Sequence, residues 1–542
     1  MTPLGDLRAA VERAAAALRG DGQPGAAPTL ERPRKAEFGD YSTNAAMLLA
    51  PVLGAPPREI AERLGRELAG ALGDGLERVE VAGPGFLNLF LADAWYRAAL
   101  SDVLAAGEGF GGGSAQAPER VLIEFVSANP TGPLTAAGGR HAAYGDALAR
   151  VLEFRGDVVE REYYVDDHGT QVRKLGESIR ARARGEAVPE GGYEGDYVRA
   201  LAERLEGAAD GDPDALARAG VDEMVGAIRA TLERFRVSFD TWFAERSLHE
   251  GEPSAVERHY ALLEEQGHVY RSEGALWLRT SAFGDDKDRV LQRSGGEHTY
   301  FAADVAYHGD KRGRGFDRVI DVWGADHHGY VRRVEAAFAA IGGDPAALEL
   351  IILQFVNVIE RGERASMSKR RGEFVTLDDL LDEIGVDAAR WFLLARSHDT
   401  TVDLDLDLAR EQTNENPVYY VQYAHARICS VLAKAGEDRV ARALSAPAAG
   451  QAPLDPAERA LVLKLLAFPG EVDEAAARRA PHRIAVYALE LAQGFTAFYR
   501  DCRVVGAEPE DVESFRIALC VASRSTIARA LGLLGVHAPE AM

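Results

Sequence analysis

The feature that most restricts this chain is a strand–helix–strand pattern that occurs twice, with a long, mostly charged helical stretch between the two copies. The first copy opens with the apolar run Val121-Leu122-Ile123-Glu124-Phe125-Val126. A polar loop from Ser127 to Pro133 follows, then a helix with Tyr144, Leu148, Val151 and Leu152 on one face. Residues 157–165 read as the next strand. In the second copy, 318–323 is a strand, 329–341 a helix and 348–359 a strand. Strands that alternate with helices predict a parallel sheet closed by crossovers, so the fold class is α/β of the Rossmann type. The stretch at about 170–290 reads as a helical insertion into that domain.

The flanking regions have different patterns. Residues 1–106 carry helical stretches at 7–18 and 57–72, a strand-like 78–82 and a turn at Gly83-Pro84-Gly85, which together predict a small α+β domain. Residues 107–118 contain Gly107-Glu108-Gly109-Phe110-Gly111-Gly112-Gly113-Ser114, which matches a G-x-G-x-x-G fingerprint. The run follows a helix rather than a strand, and no helix starts behind it. It therefore reads as a flexible joint, not a dinucleotide site. The α/β region spans 119–375, and 376–542 is helical nearly throughout, interrupted by a Pro/Ala/Gly-rich loop at 446–456. Asp403-Leu404-Asp405-Leu406-Asp407 imitates a calcium loop, but Leu408 replaces the turn glycine and Asn414 the bidentate Glu. A strand with Asp on one face is the better reading.

Composition narrows the function. With 542 residues, about three domains are expected. Three cysteines, Cys429, Cys502 and Cys520, form no C-x-x-C pair, which argues against a disulfide framework or zinc site and fits a reducing cytoplasm. A formal net charge of −23 opposes nonspecific nucleic-acid binding but leaves room for a local basic face. There is no long apolar run to cross a membrane, and the amphipathic, acid-containing N-terminus is not a targeting peptide.

No Gly-Lys pair exists in the chain, so a P-loop is excluded. A nucleotide must then be held where a parallel strand runs through a Gly/Pro loop into a helix N-terminus, whose N–H groups and dipole favour phosphate. Ser127-Ala128-Asn129-Pro130-Thr131-Gly132-Pro133-Leu134 occupies such a place. Ser366-Met367-Ser368-Lys369-Arg370-Arg371-Gly372 places three adjacent cations just beyond a strand of the second copy, suited to charge that builds on a transferring phosphate.

Together these segments resemble the arginyl-tRNA synthetases, over nearly the whole chain. Gly39-Asp40-Tyr41-Ser42-Thr43-Asn44 and Val81-Ala82-Gly83-Pro84-Gly85-Phe86-Leu87-Asn88 resemble the family's additional N-terminal domain. Glu124 to Leu134 resembles the approach to the first class I signature, Trp323-Gly324-Ala325-Asp326-His327-His328 a second sheet-edge motif, and Met367-Ser368-Lys369-Arg370 the second signature. Asn416-Pro417-Val418-Tyr419-Tyr420-Val421-Gln422-Tyr423 resembles the all-α anticodon-binding domain.

The resemblance implies ATP-dependent ligation of L-arginine to tRNA(Arg) through an arginyl-adenylate, with ATP as Mg-ATP and tRNA needed for amino-acid activation. It implies arginine-binding roles for Asn88, Glu124, Asn129, Tyr300 and Asp304. Pro130, Gly132, Thr135, Gly138, Gly139, Trp323, Gly324 and His327 are the ATP-binding candidates, and Lys369, Met367 and Ser368 the catalytic ones. Tyr420, Gln422, Arg427 and Arg503 are candidates for tRNA contact. No protein-held metal and no membrane contact is implied, and a monomer is expected. A Glu in an apolar strand is costly unless paired, so Glu124 needs a cation, either from a ligand or from within the protein.

One motif departs from the family. Where members carry His-x-Gly-His, this chain has Thr135-Ala136-Ala137-Gly138. Losing an oriented donor to a developing charge costs roughly 10²–10³ in rate. The alternative is thus a paralogue that binds tRNA or arginine without forming adenylate. His141, His327 and His328 remain as substitutes, although His141 lies a helical turn beyond the motif.

Overall fold

The computed structural model describes residues 3–20, 26–33, 35–364 and 375–542. At its centre are five parallel strands, β1 (Arg120–Glu124), β2 (Val158–Val165), β3 (Thr241–Ala244), β4 (Arg318–Gly324) and β5 (Leu348–Leu353). Their spatial order is β5-β4-β1-β2-β3. The chain moves outward from β1 to β3, then returns to the other side of β1 for β4 and β5. The order therefore reverses between β1 and β4, and a crevice opens there at the carboxyl ends of the strands. Val121, Leu122 and Ile123 of the central strand are fully buried, as an apolar run in a two-sided sheet requires.

Four helices position the site: α1 (Ala136–Arg155), α2 (Tyr300–Gly313), α3 (Val331–Ala340) and α4 (Leu377–Leu394). The N-terminal region is a four-stranded antiparallel sheet with helices packed on it, and the C-terminal region is all-helical beyond Pro417. Both match the sequence expectation.

The insertion at about 170–290 is corrected. A helical unit with its own core around Leu175, Ile179, Leu201 and Met224 lies between β2 and β3. A small antiparallel sheet (Val269–Ser272, Ala275–Leu278, Arg289–Gln292) lies between β3 and β4. Strand β3 separates them and pairs in parallel with β2, so there are two insertions.

The expected strand at 348–359 is also divided. β5 ends at Leu353, and Val356–Glu360 joins a different sheet beside Val402–Asp405. The buried Arg140 guanidinium holds the break, donating to the carbonyls of Gln354 (2.5 Å), Ser397 (2.9 Å) and Thr400 (2.8 Å). Val402 and Leu404 face inward and Asp403 and Asp405 outward, so the acidic run is a strand and not a calcium loop.

The 107–118 linker is packed rather than loose. A Cβ on Gly111 would stand 2.6 Å from the Phe468 ring, and one on Gly112 2.7 Å from the Phe154 carbonyl. Its glycines permit close approach, and Phe110 is buried.

Arg390 of α4 locks the catalytic and helical regions together. Its fully buried guanidinium donates to the carbonyls of Leu534 (2.7 Å) and Phe235 (2.9 Å) and to the Asp146 carboxylate of α1. Removing one partner of a buried pair strands the other charge. Arg390→Ala is expected to cost about 3–5 kcal/mol, read in urea as an early transition that separates the helical region from the sheet.

Candidate active site

A cleft of about 380 Å³ opens at the strand-order reversal. Four strand ends furnish it: Glu124 closes β1, Asp166 follows β2, Glu245 follows β3, and Trp323-Gly324 closes β4. Helix α2 presents Tyr300, Asp304, Tyr307 and His308, and α1 presents His141. Tyr300 and Asp304 stand four residues apart, so the first turn of α2 carries both on one face.

The backbone after β1 is strained. Val126 (φ 71°) and Ser127 (φ 39°) lie in the left-handed region, which a β-branched residue rarely enters. The strain aims the Ser127 hydroxyl. It donates to Glu124 Oε1 (2.8 Å) and accepts from the Tyr164 N–H (3.1 Å).

Behind the cleft, the acids have cationic partners. The buried Lys311 ammonium bridges Glu124 Oε2 (2.5 Å) and Asp321 Oδ1 (2.7 Å). His308 Nε2 meets Asp321 Oδ2 at 2.9 Å. Arg314 grips Glu162 with two bonds, at 2.6 and 2.8 Å. Burial opposes charge on Lys311, but the two adjacent carboxylates outweigh it and hold the ammonium above its usual range. Glu124 therefore has an internal partner, which settles the pairing question left open by the sequence.

In front, charges are not matched. Asp166, Glu245 and Asp304 join Glu124 on the wall, and no Lys or Arg lines the cleft among the described residues. Asp166 Oδ1 is buried and has no hydrogen-bond donor. Burial, and then repulsion from Glu245, raises the Asp166 carboxyl. Burial also raises Glu245, although bonds from Asp166 and Tyr164 resist this. Asp304 is raised by burial and partly relieved by the Tyr330 hydroxyl, which donates to it at 2.5 Å. Tyr164 and Tyr307, with ring centroids 4.5 Å apart, add aromatic surface. The arrangement suits a planar cation with several donors.

The sequence candidates separate clearly. Glu124, Asn129, Tyr300, Asp304, Trp323, Gly324 and His327 all line the cleft. Asn88 does not: it pairs with Ser42 (2.8 Å) in the N-terminal sheet and borders a separate groove there. Pro130 and Gly132 are buried away from the wall. Thr135 caps α1, and its hydroxyl accepts the Gly138 N–H at 3.2 Å, so both groups are occupied locally. Gly139 lies under Leu377, where a Cβ would stand 2.7 Å from a methyl carbon. These five lie outside the cleft lining, where they support the loop and the helix start.

Lys369, Met367 and Ser368 lie outside the described residues. The downstream flank of their segment is fixed to the start of α1. Ala136 N–H donates to the Val375 carbonyl (3.0 Å), Leu377 N–H to the Leu134 carbonyl (2.8 Å), and Thr135 pairs with Thr376.

In the helical region, Gln422 is tied into the fold. Its amide donates to Asp387 and to the His537 carbonyl, both at 2.9 Å. Tyr420 bonds Thr496 (3.0 Å), and Arg503 closes a turn onto the Val505 carbonyl (3.1 Å). Arg427 is exposed over the Tyr423 ring, 4.7 Å from its centroid, and Tyr419 stacks on Tyr423. Arg427 and Arg503 are the exposed members of the four candidates, and Arg427 adds an aromatic ledge.

Sequence reasoning missed Asp166, Glu245, Tyr164 and Tyr330. A positional signal existed for the two acids. Each is the residue immediately after a parallel strand, on the edge where α/β folds bind ligands.

Three family models match the chain in order. Residues 5–91 match the arginyl tRNA synthetase N terminal domain, 209–429 the catalytic domain of class I (R) tRNA synthetases, and 421–542 the DALR anticodon binding domain. Fold and cleft thus define a class I aminoacyl-tRNA synthetase. Relatives narrow this further. The arginine–tRNA ligase of Desulforudis audaxviator is 46% identical, covering 99% of this chain and 97% of its own. That of Desulfosudis oleivorans is 46% identical over 95% of this chain and 94% of its own. The arginyl-tRNA synthetase structure from Thermus thermophilus has a TM-score of 0.76 at 26% identity, covering 99% of this chain and 100% of that one. The chain belongs to the arginyl-tRNA synthetase family.

The unmatched acids give a stability prediction. A carboxyl raised in the folded state stabilises only while protonated, and that contribution is lost as pH rises from the unfolded value through the folded one. Asp166→Asn stays neutral throughout. It is expected to match the unsubstituted protein near pH 4 and to exceed it by about 1–3 kcal/mol at pH 9, measured by urea unfolding without ligand.

Proposed function

We propose that this protein ligates L-arginine to tRNA(Arg) in two steps. The arginine carboxylate attacks the α-phosphorus of ATP and pyrophosphate leaves. A ribose hydroxyl at the 3′ end of tRNA then attacks the adenylate carbonyl and AMP leaves. The observation that carries this reading is the uncompensated acidic wall of Asp166, Glu245 and Asp304 beside the Trp323-Gly324 edge. A guanidinium supplies the cation the wall lacks, and its planar donors match carboxylates.

In this reading Glu245, Asp304 and Asp166 hold the guanidinium, while Asn129, Tyr300 and the Glu124–Ser127 pair orient the rest of the amino acid. ATP lies along Trp323, Gly324 and His327 toward the start of α1. Lys369 stabilises charge on the α-phosphate, with Met367 and Ser368 in the same segment, as family resemblance implies. The Tyr419–Tyr423–Arg427 ledge meets tRNA bases by stacking. No group of three or more His, Cys, Asp or Glu side chains is arranged to hold a metal ion among the described residues. Mg²⁺ enters this reading only on the ATP phosphates. No helix among the described residues is long and apolar enough to cross a membrane. A monomer working in the cytoplasm, with tRNA required for activation, completes the proposal. The relatives are named as ligases, and none of the comparisons favours an adenylation-deficient paralogue.

The deciding assay is arginine-dependent ATP–pyrophosphate exchange with and without tRNA(Arg). Exchange that appears with tRNA is expected; tight tRNA binding with no exchange under either condition would sink the proposal. Truncating one side of a buried charge-assisted contact costs about 2–5 kcal/mol. Glu245→Gln is therefore expected to raise KM for arginine at least about 30-fold while KM for ATP stays within a factor of about two. An equal rise in both would show that Glu245 supports the cleft rather than the guanidinium.

A further inference from the structure

Tyr330 lines the cleft, yet no step of the proposed reaction uses it. It is the last residue of the tight turn Ala325–Tyr330, which follows the Trp323-Gly324 edge of β4 and leads into α3. Three neighbours hold its ring. Phe301 packs edge-on with centroids 6.4 Å apart, Trp323 lies at 6.2 Å, and the Arg333 guanidinium sits over the ring, 4.4 Å from its centroid. A ring clamped on these sides delivers its hydroxyl to one place.

That place is Asp304. The hydroxyl donates to Oδ2 at 2.5 Å, and no other described residue donates to the carboxylate. Each oxygen of an ionised carboxyl accepts hydrogen bonds. With Oδ2 engaged, Oδ1 is the oxygen left to a ligand in the cleft. The same bond bears on charge. Burial raises the Asp304 carboxyl, and the Tyr330 hydroxyl is the strongest influence against that rise. His308 and Lys311 on α2, and His327 on the turn, act in the same direction as the hydroxyl. Asp166 and Glu245, at the ends of β2 and β3, oppose ionisation, and the Tyr164 hydroxyl also faces the carboxylate.

We propose that Tyr330 is a positioning residue for arginine recognition: its hydroxyl fixes Oδ2 of Asp304, so that Oδ1 meets the guanidinium as a single, aimed acceptor. A carboxylate held this way favours a planar cation over a neutral analogue of the same shape. The inference deepens the ligase reading and rests on the guanidinium lying against Asp304. The turn that carries His327 thus ends in the group that holds an acid of the arginine wall.

The test is calorimetric titration of L-arginine, and of its neutral analogue L-citrulline, into the full chain and into Tyr330→Phe, which keeps the ring and removes the hydroxyl. Losing a hydrogen bond to a charged group is expected to weaken arginine binding about 10- to 100-fold near pH 6.5, and citrulline binding much less. Without the hydroxyl, Asp304 keeps its proton to higher pH, so the arginine deficit of Tyr330→Phe is expected to shrink as pH rises toward about 9. Asp166 and Glu245 titrate in both proteins, so the ratio of the two affinities at each pH isolates the hydroxyl. On an Asp304→Asn background, Tyr330→Phe is expected to change arginine affinity by less than about twofold. An equal deficit for arginine and citrulline overturns the proposal, since it marks a packing role. So does a deficit that grows with pH, or one that adds in full to Asp304→Asn. The expected deficit in a protein without arginine-dependent exchange upholds the role of Tyr330 and removes the ligase reading. Exchange with unchanged arginine affinity in Tyr330→Phe does the reverse. Failure of the full chain to bind arginine removes both.

Discussion

Lys311 decides which acids in this protein are free. It rises from α2 into the reversal point of the sheet and holds Glu124 and Asp321 across the β1–β4 seam. Neither strand tolerates a lone buried carboxylate there, because desolvation by itself costs several kcal/mol per ion. With Lys311 bridging both carboxylates, and His308 sharing Asp321, the buried acids have partners and the two halves of the sheet join. The acids that lysine holds are tied to the scaffold, although Glu124 also reaches the cleft edge through Ser127. Those beyond it, at the ends of β2 and β3 and on the first turn of α2, remain for a ligand. One buried ammonium thus divides a run of acids into scaffold and recognition surface.

The same economy governs the start of α1. Thr135 caps the helix, Arg140 stitches it to two separate loops, and Asp146 anchors Arg390. The helix therefore has a fixed origin and orientation even though its signature residues differ from the family pattern. A threonine is a better helix cap than a histidine, so the substitution favours the local fold while removing an imidazole from the nucleotide side. The altered motif is a change of chemistry on an unaltered scaffold.

Much of this was legible in the sequence, and the failures have identifiable causes. Strands β1, β4 and β5 were found because buried parallel strands read as apolar runs. β3 was missed because it is only four residues long and half-buried at every position, so its pattern is lost between two helical segments. The break after Leu353 was invisible because the residue that enforces it, Arg140, lies more than 200 positions away in sequence. Tyr300 and Asp304 were found from their spacing, and Trp323, Gly324 and His327 from their place after a strand. Asp166 and Glu245 required knowing that both strand ends converge, which is a property of the sheet order. Asn88 was carried over from the resemblance alone, and its side chain is bonded within its own domain. Motifs located the cleft; only topology could say which neighbours share it.

The charge balance of the cleft leads one step further. Its wall is acidic, and no Lys or Arg lines it among the described residues, so a triphosphate brought beside Asp166, Glu245 and Asp304 meets repulsion until arginine neutralises the wall. In the proposed reaction the amino acid is thus part of the electrostatic environment of the nucleotide. The cations for the phosphates must arrive with Mg²⁺ or from Lys369, Arg370 and Arg371. The downstream flank of that segment is hydrogen-bonded to the first turn of α1, so one short stretch of backbone joins the basic segment to the helix start. Coupling of this kind makes ATP affinity depend on arginine occupancy, and by linkage arginine affinity depends equally on ATP. A protein whose first signature lacks imidazoles relies the more on that reciprocity, because the charge it can no longer offer from α1 has to come from the ligands and the tethered basic segment.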